Sequence, residues 1–326
     1  MALVTYLFGA GASAKALPVV NEMYDNIGSL RAELNAISME DKNSLKELTD
    51  DLDWLAEKAN PTNNTTIDTY AKQLYLQREG DEYKKLRAAL SVYFVLKQIK
   101  PECLDRRYCD FWTNLITIDE TSERINTMLP KDLLLLSWNY DSQLEKAYHR
   151  VLNKHFQSYC AKNRKHTWGN INPFLIKLNG SADFLNEDDR KQRLSMLYKW
   201  STPKTVEEVV SAYQTKKNHS ILSFAWDPEY YSDKNETSPT ILKAQKKSKD
   251  TETLVIIGYS FPYFNREIDR VVAGAGNMEQ LKKVYFQAPQ KDVENIKMRF
   301  QAVRDTKDIE LISITDLDQF FIPPEL

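Results

Sequence analysis

The sequence has 326 residues, 42% of them hydrophobic, which is material for a substantial core in one large domain or two modest ones. Lys and Arg number 44 against 46 Asp and Glu, a formal net charge of -2, so no basic surface for nucleic acid is expected. The three cysteines form no C-x-x-C pair, which speaks against a disulfide framework and a zinc site. No apolar run reaches membrane-spanning length, and Met1–Phe8 lacks the basic leader of a signal peptide, so a cytoplasmic, metal-free protein is expected.

In chain order, the first predicted element is a strand over Leu3–Phe8, rich in β-branched and aromatic residues. Gly9, Ala10, Gly11, Ala12 and Ser13 follow, and then a helix-compatible stretch. Strand, small-residue turn and helix is the layout of a dinucleotide site, with Ala14 at the last position of the glycine fingerprint. Gly9 and Gly11 permit a tight turn and a close approach of pyrophosphate to the backbone, and the next helix would face its N–H groups to the anion. Asn21 and Glu22 stand where they can reach a bound ribose, or serve only as a solvated helix start.

Residues 29–130 read as a helical insertion after the first strand. Leu45, Leu48, Leu52 and Leu55 mark one helix, and Ile67, Tyr70, Ala71 and Leu74 a second, capped by Thr66 before Asp68. Leu86, Leu90, Tyr93 and Phe94 mark a third, and Phe111, Leu115, Ile118, Ile125 and Leu129 at least one more. Leu133–Leu136 then form a central strand covered on both faces, running into Ser137, Trp138, Asn139, Tyr140 and Asp141. Ser142 with Glu145 resembles a capping box for the helix that follows.

Further strands are predicted at Phe174–Leu178, Leu254–Ile257, Val284–Phe286 and Ile309–Ile314. Helices are predicted at Val206–Tyr213, from Pro239 to Lys249, and around Val271 and Ile296, with a short strand at Ile221–Phe224. The result is an α/β fold of about six parallel strands, a Rossmann-like doubly wound sheet in a single domain. Five strand ends carry small or polar residues and share one edge, where open α/β sheets bind ligands.

Four ordered motifs, GAGAS with Leu17-Pro18, WNYD, KLNGS and IGYSF followed by Asp269, together resemble those of sirtuin-like proteins. They are most similar to the bacterial sirtuin-like NAD-degrading proteins of anti-phage defence. The resemblance implies an NAD-binding domain that cleaves the nicotinamide–ribose bond to give ADP-ribose and nicotinamide. It also implies a homo-oligomer under the control of assembly or a regulatory protein partner. On the same resemblance, Gly9, Ala10, Gly11 and Ser13 hold the pyrophosphate, and Asn139 and Asp141 lie beside the nicotinamide ribose. Gly258 and Ser260 contact the adenosine side, and Gln287 sits near the adenine end. The family usually has histidine where this chain has Asn179. An asparagine amide hydrogen-bonds but cannot take a proton as histidine does. Asn139, Asn179 and Asp141 are therefore the catalytic candidates, with His166 as a base from a loop or a plain surface histidine. The alternative is a catalytically weak or inactive NAD or ADP-ribose binding module.

Overall fold

A computed structural model describes residues 3–19, 22–39, 41–62, 66–100, 102–119, 126–130, 132–152, 174–184, 205–227 and 238–326. Asn21, His155, Cys160 and His166 lie outside the described residues, as does the charged stretch 185–204.

The chain begins with β1 (Leu3–Phe8), followed by α1 (Met23–Asn35), α2 (Lys42–Ala59), α3 (Ile67–Gln77), α4 (Gly80–Gln98) and α5 (Arg106–Leu115). Two short strands come next, β2 (Thr117–Asp119) and β3 (Asn126–Met128), then β4 (Leu133–Ser137), α6 (Gln143–Leu152) and β5 (Phe174–Lys177). Strand β6 (Gly180–Phe184), helix α7 (Val206–Lys216) and strand β7 (Ser220–Leu222) lead into α8 (Pro239–Ser248) and β8 (Thr251–Ile257). The remainder is α9 (Arg266–Ala273), β9 (Lys283–Gln287), α10 (Val293–Gln301) and β10 (Glu310–Ile314).

Six strands form one sheet in the order β10-β9-β8-β1-β4-β5, every adjacent pair parallel. Counted by their own succession along the chain, they read 6-5-4-1-2-3, the Rossmann order, with the reversal between β1 and β8. Side chains alternate even where the run is wholly apolar. Val4, Tyr6, Phe8, Leu133 and Leu135 enter the core on one face, beneath α5 and α6. Leu7, Leu134 and Leu136 enter the core on the other, with residues of α8, α9 and α10. At the buried amino end, the hydroxyls of Thr5 and Thr251 satisfy each other at 2.7 Å.

A third core belongs to a helical layer. Buried residues of α1 to α4 pack there with Phe184, Val209, Tyr213 and Leu222, so the layer also recruits β6, α7 and β7 from beyond residue 130. Helix α5 instead packs on the sheet through Tyr108, Phe111, Trp112 and Leu115. The expected Thr66 cap is present, its Oγ1 accepting the Thr69 N–H at 3.1 Å.

Four local expectations are corrected. The helix after the glycine turn starts only at Met23, because Ala10–Ser13 is a single 3-10 turn. Pro18, with no N–H and a fixed φ, separates it from α1. Thr117–Asp119 and Asn126–Met128 form an antiparallel pair, β2 with β3, rather than more helix, since Ile116-Thr117-Ile118 is a β-branched run. Gly180-Ser181, expected as the end of the third strand, opens a separate one, β6, antiparallel to β7. The capping box at α6 is absent: Ser142 N–H donates to Gln98 Oε1, and Glu145 pairs with Lys177. Asp141 caps the helix instead, its Oδ1 accepting the Gln143 N–H at 2.9 Å.

Candidate functional site

Parallel register places Lys177, Ser137, Phe8, Ile257 and Gln287 in one row at the carboxyl edge. The ladder continues one residue further, with Leu178 N–H to Ser137 O, Trp138 N–H to Phe8 O, Gly9 N–H to Ile257 O and Gly258 N–H to Gln287 O. The five strand ends singled out in the sequence are thus neighbours.

At the reversal point two turns meet through glycine. Gly11 N–H donates to Gly258 O at 2.9 Å, and Gly258 has φ +62. A Cβ on Gly9 would lie 2.6 Å from Gly258 O, and one on Gly258 would lie 2.3 Å from Ala12 N. The close approach that these glycines permit is therefore that of one turn to the other.

Beside them a buried polar cluster joins the turn after β1 to the segment after β4. Asn139 Nδ2 donates to Ser13 Oγ at 3.2 Å, and Ser13 also shares a 3.1 Å hydrogen bond with the Tyr108 hydroxyl. Burial pushes the Asp141 carboxyl above its ordinary range, with Lys177 acting in the opposite direction. Lys177 Nζ donates to the Asp141 carbonyl and stands 3.3 Å from Glu145. Asn139 N–H is held by Ser137 Oγ, yet its side-chain oxygen takes no donor among the described residues. That leaves one oriented acceptor at the end of the central strand.

Asn179 is engaged differently. Its Nδ2 donates to Trp138 O at 3.2 Å and its Oδ1 accepts the Ala225 N–H at 3.0 Å, so the amide ties the segment after β7 to the end of β4. Ser260 is exposed, and its carbonyl receives Arg299. Gln287 is buried at 3% exposure and holds the C-terminal segment: Nε2 donates to Asp316 O and Gln319 O, both at 2.6 Å, and Oε1 accepts the Phe321 N–H.

The same segment crosses to the glycine turn. Phe320 packs on Tyr108 and Phe8, with the Arg107 guanidinium 5.0 Å over its ring. Arg107 is paired with buried Asp105 and also donates to Ala12 O at 3.0 Å and Leu317 O at 3.3 Å. This arrangement was invisible in the sequence, because its members are far apart along the chain.

No family model matches the chain and no curated protein matches it, so the sirtuin-like resemblance rests on its motifs. Among the described residues, no group of three or more His, Cys, Asp or Glu side chains is arranged to hold a metal, and no helix is long and apolar enough to cross a membrane.

Two further groups at this edge went unrecognised as chemistry. The Tyr140 hydroxyl donates to Asp68 Oδ1, linking the segment after β4 to the first turn of α3. The Tyr259 hydroxyl donates to Asp269, 2.9 and 3.0 Å from its two oxygens, and accepts from Asn265. Burial pushes both carboxyls up, Asp269 strongly. Tyr259 stacks on Trp138 with centroids 5.5 Å apart, and Trp138 Nε1–H is buried without an acceptor among the described residues. The local signals for these pairs were the tyrosine inside each motif and Asp269 after the fourth, none of them read as a hydrogen-bonded pair.

Proposed function

We propose that this chain is an NAD glycohydrolase that cleaves the nicotinamide–ribose bond to give ADP-ribose and nicotinamide. The observation that carries the reading is Asn139, a buried amide at the end of a central strand, oriented by Ser13 and with its oxygen left as an acceptor. Nicotinamide leaves as a neutral molecule from a cationic centre, so departure needs no general acid. Positive charge grows on the sugar as the bond breaks, and an amide oxygen fixed in a dry site stabilises it without reorganising. The same oxygen can accept a ribose hydroxyl. Gly9, Ala10, Gly11 and Ser13 line the turn beside it, with Gly258 opposite.

The setting we propose is anti-phage defence in a bacterial cytoplasm, as in the proteins the motifs resemble. Unrestrained NAD loss harms a cell, so self-association or a regulatory protein partner would govern activity.

A second reading, an NAD or ADP-ribose binding module without catalysis, is favoured by one observation. The Asn179 amide is bonded at both ends by backbone, so the third motif offers no free proton acceptor. Incubating the pure protein with NAD and following nicotinamide release decides between them. Release that scales with enzyme supports the glycohydrolase. Calorimetric binding of NAD with no release over hours supports the module and overturns the enzyme.

A further inference from the structure

Water that attacks a sugar cation must lose a proton, and a base within reach of the attacked carbon speeds that step. The Asn179 amide cannot serve, but the helical layer brings a carboxylate to this edge. Asp68 is buried at 9% exposure in the first turn of α3. Its Oδ1 accepts the hydroxyl of Tyr140, the residue after Asn139. It also lies within electrostatic reach of Tyr259, whose ring stacks on Trp138. The hydrogen bond ties the carboxyl to the segment that follows β4, one of the two strands flanking β1. The Trp138 Nε1–H of the same motif is buried without an acceptor among the described residues.

Other carboxyls here are spoken for. Both Asp269 oxygens lie within hydrogen-bond distance of Tyr259, Asp227 receives Tyr83, and Asp141 receives the Gln143 N–H. Among the described residues, Asp68 has one side-chain donor, the Tyr140 hydroxyl on Oδ1.

Resting on the glycohydrolase reading, we infer that Asp68 is the base of this site and that Tyr140 positions it. The bond between C1′ of the ribose and the nicotinamide nitrogen breaks, and its electron pair leaves with neutral nicotinamide. The water oxygen bonds to C1′, and the proton it loses passes to Asp68 Oδ2. Burial raises the proton affinity of this carboxyl, against the opposing effect of the Tyr140 hydroxyl. The titratable groups around it are Tyr140, which Tyr83 of α4 faces with Asp227 behind, and Tyr259 with Asp269 behind. Lys72, further along α3, is turned to the Phe264 carbonyl.

The test uses the full chain with NAD, measuring nicotinamide release from pH 5 to 9 for wild type, Asp68→Asn and Tyr140→Phe. Asp68→Asn is expected to lose about 10²–10⁴-fold in kcat with KM for NAD little changed. Sodium azide, a nucleophile with no proton to lose, is expected to restore turnover in that variant as ADP-ribosyl azide. Wild-type kcat should climb through an acid limb that Asp68→Asn lacks. In Tyr140→Phe the limb should move to higher pH, because the carboxylate loses a donor that favours its charged form. A folded Asp68→Asn with wild-type kcat, or one that azide does not rescue, overturns the assignment while leaving the glycohydrolase standing. Wild type without release overturns both. If Asp68→Asn fails to fold, the limb decides: a shift in Tyr140→Phe supports the base, and an unmoved limb removes it.

Discussion

The ends of β4 and β9 lie on one edge of one sheet, and each presents a buried primary amide. Asn139 spends its nitrogen on Ser13 and keeps its oxygen. Gln287 spends both ends on its own chain, receiving Phe321 N–H and donating to Asp316 O and Gln319 O. An amide with partners at both ends is a bracket; one with a partner at a single end retains an acceptor for something else. The difference arises from what crosses each end: a C-terminal segment anchored by Phe320 and Arg107 at β9, and the helical layer at β4.

The two ends share a foundation in the glycine contact between β1 and β8. Breaking it should have the largest effect and spare neither end. Gly258→Ala puts a Cβ at φ +62 and 2.3 Å from Ala12 N. The loss should be about 3 kcal/mol or more, read as a fall in denaturant midpoint. A near-neutral result would mean that the turns separate easily and that their packing is not what requires glycine.

At the β4 end the loss should fall on chemistry. Asn139→Ala should slow nicotinamide release about a hundredfold or more, roughly 2–4 kcal/mol of barrier by comparison with lost oxyanion-hole donors. The thermal midpoint should move little, because among the described residues the amide makes one side-chain bond and Ser13 keeps Tyr108. Full activity in this variant would remove Asn139 from the site.

At the β9 end the loss should fall on stability. Gln287→Ala leaves two carbonyls and one N–H without their partner, which should cost about 1–3 kcal/mol. Release per folded molecule should stay at the wild-type level. A raised KM for NAD with an unchanged midpoint would reverse the comparison and return Gln287 to the adenine end.

The sheet was legible because its strands are apolar runs punctuated by small or polar residues, as Leu133–Leu136 before Ser137 shows. Which amide would be a bracket was not legible. The partners of Gln287 and Asn179 are backbone groups of segments with no local signal of where they dock. The bond from Tyr140 to Asp68 spans 72 residues, and in sequence Asp68 reads only as a helix-start acid. Residues 117–119 misled for a different reason. Phe111, Leu115 and Ile118 keep helical spacing past the end of α5, while the β-branched run that ends it is only three residues long.

Asn179 is the smallest and most discriminating test. A histidine there can donate Nδ1–H to Trp138 O, as the amide does, and leave Nε2 as a proton acceptor. It then gives up the bond from Ala225 N–H, which should cost about 1 kcal/mol of stability. If Asp68 already takes the proton, a second base adds little. Asn179→His should leave nicotinamide release within about threefold of wild type, under about 1 kcal/mol of barrier. Its pH profile should keep the acid limb that Asp68 sets. A large gain with a new limb near pH 6.5 would show instead that the wild-type site works without a base. The amide of Asn179 would then mark a site slowed by its own sequence, and the contrast between bracket and acceptor would have to be redrawn around the third motif.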